Sequence, residues 1–430
     1  MKLSEAVRRS FSRTRRHGAA AVGLAATLAV AGTVVASGPV GAAPHGKFKG
    51  TVVIGASLSL SGDFSTDGQA FDRGYHLWAN WQNAHGGLMG DKVVLKILSD
   101  KSTPTQAETN YNTLISSDHA KLVIGPFSSL LTAPSAKAAH RHGYALVEGA
   151  GGAPAVFQLN LDNVFDVSYP VATGLVPFAK WVAAMPQATR PKTVAYATIT
   201  TIFESSQFPI ARKILSKAGV KTAYTKAFPT ETTDFTPIAS GIVSSKATIV
   251  LIGGTDVPTI SSFMSTFESA HYNPKAIIAT AGPDQGADFL KAVGTSNAIG
   301  LMVEGGWYPG FASAASKKMV HSYVKKYGGT ASAVNADVAE AYSVGQVLTE
   351  AVKHTHGFTN SKIIHYLHSG ATFTSVQGAV KFNKLGENIA AVDLAFQWQT
   401  KTGSPYFAQV LPTKAKGSVA PLYPKPSWGG

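Results

Sequence analysis

The sequence predicts an α/β protein of two lobes, each a mostly parallel sheet flanked by helices. Three observations predict it. Strand-like apolar runs alternate with helical runs from Thr51 to Ser168. The alternation restarts at Pro170 and continues to Val303. Each strand–helix–strand step needs a crossover, which makes a parallel sheet with helices on both faces. The 430 residues are also enough for about two substantial cores.

The chain opens on a targeting segment, expected over residues 1–43. Lys2, Arg8, Arg9, Arg13, Arg15 and Arg16 form a basic region, Ala19 to Ala36 is weakly apolar, and Gly41-Ala42-Ala43 offers a cleavage site. Arg8-Arg9-Ser10-Phe11 resembles a twin-arginine export signal, but Arg15-Arg16 shows that any basic leader supplies arginine pairs, so both export routes stay open. The leader holds five of the fourteen net positive charges. The rest are spread along the chain without a basic-aromatic cluster, which argues against a nucleic-acid partner. There is no cysteine, so disulfides, zinc–thiolate sites, cysteine nucleophiles and a lipid-modified cysteine are excluded.

In order, Thr51–Leu60 begins as a strand and runs into the turn-rich LSGDFSTDGQ. Phe71, Tyr75, Trp78 and Ala79 recur at helical spacing and predict a helix over 71–82, ended by Gly86-Gly87. A strand over 92–98 and a helix over 105–117 follow. The run KLVIGPFSSLLT from Lys121 is a short buried strand, stopped by Pro126, that breaks into a helix over 129–142. Strands over 144–147 and 164–168 complete the first series.

The second series predicts a helix over 170–185, a strand over 192–198, a loop over 199–206 and a helix over 209–218. Strands over 220–228, 247–252, 276–280 and 300–303 then alternate with helices over 235–245, 257–271 and 284–293. Late helices are expected over 312–327, 333–354 and 361–368, and strands over 376–383 and 391–399. The tail from Pro412, with Pro421, Pro424 and Pro426, is expected to be irregular.

In open parallel sheets ligands sit beyond the carboxyl ends of the strands. Four loop sets there are candidates. One is Ser61–Gln69, with Asp63, Phe64 and Asp67. Another is Phe127-Ser128-Ser129, where a helix N-terminus and two hydroxyls suit a carboxylate, although an ordinary serine N-cap explains the pair equally. A third is Ala150-Gly151-Gly152, where missing side chains let a ligand approach the backbone. The fourth joins Phe203 with Glu204, Thr255 with Asp256, and Asp284. Amide donors, carboxylates and aromatic wall together suit a zwitterion with an apolar side chain.

From Thr51 to Gln399 the chain resembles the periplasmic leucine/isoleucine/valine-binding proteins, the type I solute-binding proteins of ABC transporters. The resemblance rests on VVIGASLSLSGDFSTDGQAFDRGYHLWANWQNAHGGLMG, KLVIGPFSSLLTAPSA, TVAYATITTIFESS, the Asp234-Phe235 turn and QGAVKFNKLGENIAAVDLAFQW. It implies two lobes joined by three crossover hinge segments. The first lobe would hold residues 48–170 and 304–378, the second 171–303 and 379–411, with 412–430 as the tail. It implies a monomer that captures a small solute and passes it to an ABC permease, with no cofactor or metal.

The family's ligand contacts fall on Phe127, Ser128 and Ser129 for the carboxylate, and on Ala150 and Gly152 beside Gly151. Its cleft aromatics fall on Asp67, Phe203 and Thr255. The acid that meets the ligand ammonium falls near Asp284. The changes at Asp67, Gly152 and Thr255 point away from a standard branched-chain amino acid, toward a different amine, amide or larger apolar solute.

An enzyme is disfavoured, because G-x-S-x-G, H-E-x-x-H and P-loop motifs are missing from the sequence. His354 and His356 stand two apart, so they do not share a helical face as a metal pair would. A sensor of the same fold that signals to a membrane partner is the alternative to a transporter component.

Overall fold

The computed structural model describes residues 48–254, 256–311 and 313–429. The leader expected over residues 1–43 lies outside them, as does Thr255. The first series is β1 (Thr51–Leu58), α1 (Ser65–Ala84), β2 (Lys92–Ser99), α2 (Pro104–Ser116), β3 (Leu122–Ile124), α3 (Ser129–Arg141), β4 (Leu146–Glu148), α4 (Pro154–Phe157) and β5 (Val164–Asp166). Its strands form one sheet in the order β2-β1-β3-β4-β5. All four pairings are parallel. β3, β4 and β5 are buried throughout because helices cover both faces.

The second series starts with α5 (Val176–Ala184), β6 (Thr193–Ile199), α6 (Ile202–Lys217), β7 (Lys221–Phe228), α7 (Thr236–Ser245) and β8 (Ile249–Gly253). It continues with α8 (Val257–Ser269), β9 (Ala276–Ala279), α9 (Gly286–Val293), α10 (Thr295–Ala298) and β10 (Leu301–Gly305). The chain then gives α11 (Ala314–Tyr327), α12 (Ala336–His354), α13 (Asn360–Leu367), β11 (Thr372–Ser375), β12 (Gly378–Lys381), β13 (Leu394–Lys401) and β14 (Ser404–Leu411). The second sheet runs β14-β13-β10-β9-β8-β6-β7. Its strands are parallel up to β10, and β13 and β14 add an antiparallel margin. The chain passes between the two sheets three times: after β5, after β10 and after β12.

The late helices return to the first sheet. α12 lies against α1, where the Trp78 indole Nε1–H donates to Thr349 Oγ1 at 3.1 Å. A Cβ on Gly345 would fall inside the Trp78 ring, so glycine is what lets the two helices approach. That approach sets the first turns of both helices side by side at the same end of the sheet.

Four expectations need correction. The loop expected over 199–206 is the start of α6. Thr201 caps it, with Oγ1 accepting from the Glu204 N–H at 3.4 Å, and Pro209 sits inside the helix rather than opening it. Proline favours the first helical turn, but an interior proline costs one hydrogen bond and a helix this long carries it. The helix expected over 170–185 is a 3-10 turn at Val171–Thr173 followed by α5. The strand expected over 376–383 is a hairpin, with Val376 and Gln377 as its turn between β11 and β12. Val376 is apolar because the turn itself is buried. Finally, β14 has no counterpart among the expected strands, although Phe407, Gln409 and Leu411 pair along β13.

The described residues beyond Pro412 form turns and bends, and they are held against the second sheet. The Gln397 side chain accepts from the Leu422 N–H at 2.8 Å and donates to the Leu422 carbonyl at 3.1 Å. Gln399 Nε2 donates to the Ala420 carbonyl at 2.8 Å, and Gln409 Nε2 to Ser418 Oγ at 2.8 Å. The Val419 N–H donates to the Gln409 carbonyl at 2.9 Å, on the outer side of β14.

Candidate functional site

The carboxyl ends of both sheets meet at a cleft holding about 1030 Å³ of empty space, counting its open mouth. On the first-lobe side, β3 ends and α3 begins within five residues. Ser128 takes a φ of +75° at the N-cap, and its Oγ accepts from the Leu131 N–H at 3.4 Å. Ser129 is fully buried, and its Oγ accepts from the Ala153 N–H at 3.1 Å. The N–H groups of Ser129 and Leu130 occupy the first two helical positions, where no intrahelical acceptor exists. Both residues line the cleft. Phe127 lines it too, packed edge-on against Phe64 at 5.7 Å and Phe71 at 5.6 Å between ring centres.

The loop after β4 behaves differently from the expectation. Ala150 lines the cleft, but Gly151 and Gly152 are not among its lining residues. The N–H groups of Ala150 and Gly151 both donate to Glu148 Oε2, so these donors serve a buried carboxyl of the protein. A Cβ on Gly152 would meet Asp166 Oδ2 at 2.5 Å, and one on Gly151 would meet Thr132 Cγ2 at 2.6 Å. The two glycines make room for protein atoms behind the wall.

From the second lobe come Phe203 and Glu204 on the first turn of α6, and Asp284 in the loop after β9. Asp67, on the first turn of α1, faces them. Sequence reasoning misses Glu304 at the end of β10, and Asp337 and Glu340 on the first turns of α12, all of which line the cleft. A signal exists for Glu304: an acid closes an otherwise apolar strand, LMVEG. Asp337 and Glu340 look like ordinary first-turn acids in sequence, and only the return of α12 to α1 brings them to the cleft.

Six carboxyl groups therefore line one cavity. Among the described lining residues there is no lysine, arginine or histidine. Gln285 Nε2 donates to Asp67 Oδ1 at 2.7 Å, and Asn335 Nδ2 donates to Asp337 Oδ2 at 2.9 Å. Both oxygens of Glu304, Oε2 of Glu204 and Oδ1 of Asp284 are enclosed and have no protein partner. The Tyr169 hydroxyl and the Gln207 amide lie near Glu304 without reaching hydrogen-bonding geometry.

Burial is the main cause that raises these groups. Asp67 rises to about 7, with the Asp284 charge adding to the effect. Asp284 rises to about 6, and Glu204 and Glu304 each to about 8. Asp337 and Glu340 are also pushed well up by burial, Asp337 additionally by Asp67 and Glu340 by Asp166.

Of the two histidines considered as a metal pair, His354 is engaged elsewhere. It stacks on Tyr366 with ring centres 3.7 Å apart. Among the described residues there is no acid, histidine or cysteine cluster that could hold a metal ion, and no helix is long and apolar enough to cross a membrane.

Two sheets with a cleft at their shared carboxyl ends, joined by three passages of the chain, define a two-lobed binding protein. The profile of the family described as periplasmic binding protein matches residues 51–402, and the chain belongs to that family. A Leu/Ile/Val-binding protein homolog of Brucella suis is 23% identical over 383 residues, covering 84% of this chain and 91% of the relative. The crystal structure of a leucine-binding protein from Thermotoga maritima superposes with a TM-score of 0.72 at 20% identity, covering 85% of this chain and 100% of that one. A solute-binding protein of an ABC transporter from R. palustris, in complex with benzoate, gives 0.70 at 19% identity, covering 84% and 96%. The family and the relatives named here are binding proteins rather than enzymes.

Proposed function

We propose that the chain is an exported, monomeric solute-binding protein that takes a small amino-acid-like solute into the cleft and delivers it to an ABC permease. The observation that carries this reading is the composition of the cleft walls. The start of α3 offers N–H groups and hydroxyls, and both lobes offer aromatic surface and carboxyls. Phe127, Ser128, Ser129 and Ala150 hold the anionic end of the solute, Asp67 and Asp284 meet its cation, and Phe203 covers its apolar part. Hinge closure over the three crossovers then presents the loaded form to the permease.

Thermal unfolding of residues 44–430 against a panel of amino acids, amides, amines and aromatic acids tests this. A solute present at 100 times its dissociation constant stabilises by about 2.7 kcal/mol, a visible rise in midpoint. A panel without any stabilising solute contradicts the reading.

A further inference from the structure

We propose that the cleft takes a solute bearing two or more cationic nitrogens, a diamine or a diamino acid, rather than a neutral zwitterion. This names the solute class for the reading above and rests on it.

The first observation is charge. Asp67, Glu204, Asp284, Glu304, Asp337 and Glu340 converge from five separate elements on one cavity that has no basic lining residue among those described. A zwitterion brings one cation and one carboxylate, so it neutralises nothing in sum. A second ammonium group changes that balance.

The second observation is orphaned hydrogen-bonding capacity. Glu304 is only 4% exposed, lines the cavity and has neither oxygen partnered by a protein group. Glu204, only 1% exposed, leaves Oε2 unpartnered in the same cavity. Buried carboxyl oxygens without donors are costly, and an ammonium with three N–H groups supplies donors and opposite charge together. Glu204 on α6 and Glu304 on β10 belong to the second lobe, whereas Asp67 on α1 and Asp337 on α12 belong to the first, with Asp284 and Glu340 charge-coupled to both Glu304 and Asp67. The cleft thus offers carboxyls from both lobes, enough for more than one cationic nitrogen. Phe64, Phe127, Phe203, Tyr169 and Trp307 wall the space with aromatic surface, which attracts cations across the ring face.

Three solutes of matched length distinguish the sources of the two nitrogens. Lysine and norleucine differ by the terminal ammonium. Lysine and cadaverine differ by the carboxylate. Titration calorimetry of residues 44–430 with each should show lysine binding about 100-fold more tightly than norleucine. Lysine well above cadaverine identifies a diamino acid anchored at the start of α3. Cadaverine equal to or above lysine identifies a plain diamine. E304Q should bring the lysine-to-norleucine ratio down by about tenfold or more. Norleucine binding as tightly as lysine overturns the inference and leaves the proposed function standing. A neutral or anionic solute that binds while neither lysine nor cadaverine does overturns it in the same way. Failure of every solute to bind overturns both.

Discussion

Gln285 and Asp67 face each other from opposite lobes, and the Gln285 amide donates to Asp67 Oδ1 at 2.7 Å. Gln285 precedes α9 in the second lobe, and Asp67 lies on the first turn of α1. This bond, with a longer one from Asn335 Nδ2 to Gln285 Oε1 at 3.5 Å, ties the lobes directly at the cleft. A double-mutant cycle of Asp67→Ala and Gln285→Ala in thermal unfolding should show a coupling of about 1 kcal/mol, as expected for a buried hydrogen bond. Strictly additive effects would mean the bond is not formed in solution.

The two serines before α3 should separate in their roles. Ser128 caps the helix at φ +75°, so Ser128→Gly relieves the backbone while removing the hydroxyl, whereas Ser128→Ala keeps the strain and loses the cap. Ser128→Ala should cost about 1 kcal/mol or more in stability, and Ser128→Gly less. Ser128→Gly together with Ser129→Ala should weaken a carboxylate-bearing solute by about 1–3 kcal/mol. Unchanged affinity in calorimetry would remove the pair from the site.

Asp284→Asn should weaken solutes with an ammonium group by about tenfold or more and spare their deaminated analogues. Its Oδ1 has no protein partner, so the change breaks no hydrogen bond of the protein at that atom. Equal loss for both kinds of solute would refute the assignment.

The buried acids set the pH response of the ligand-free protein. Asp284, Asp67 and Glu304 sit at about 6, 7 and 8, above their unfolded values near 4. The folded state then binds protons more tightly than the unfolded chain. Their contribution to stability is full below about pH 4 and declines as pH rises toward 8. The unfolding midpoint should therefore fall from pH 5 to pH 8, and Asp67→Asn with Glu304→Gln should flatten that slope. A flat or rising midpoint in the native protein would show that these acids are not held protonated. Facing Asp67 are Asp337 of α12, Asp284 and Gln285 of the loop before α9, and Asp256 at the start of α8, so no basic group opposes the trend there.

Much of the architecture is legible in sequence because strands buried on both faces are continuous apolar runs and glycine or proline punctuates them. The start of α6 is hidden by Pro209, which looks like a first-turn proline, although Thr201 and Glu204 carry the spacing of a capping pair. β14 is hidden by Pro405 at its start and by Gln409 within its apolar run, a polar residue that spends its amide on the tail rather than on solvent. The site is half legible. Phe127, Ser128, Asp67 and Asp284 follow strands or open helices where a parallel sheet places its ligand. Asp337 and Glu340 depend on a helix about 270 residues from α1 returning to it through Gly345, a contact with no local signature.

The clasped tail bears on how the protein survives outside its folded context. β14 is the outer strand of the second sheet, and bare outer strands recruit other chains. Here Val419 occupies the outer carbonyl of Gln409, and three glutamines grip residues 418–422. A chain cut after Leu411 keeps every strand yet leaves that margin bare, and should form aggregates where the full chain stays dispersed. The proline-rich end is thus a built-in guard against self-association.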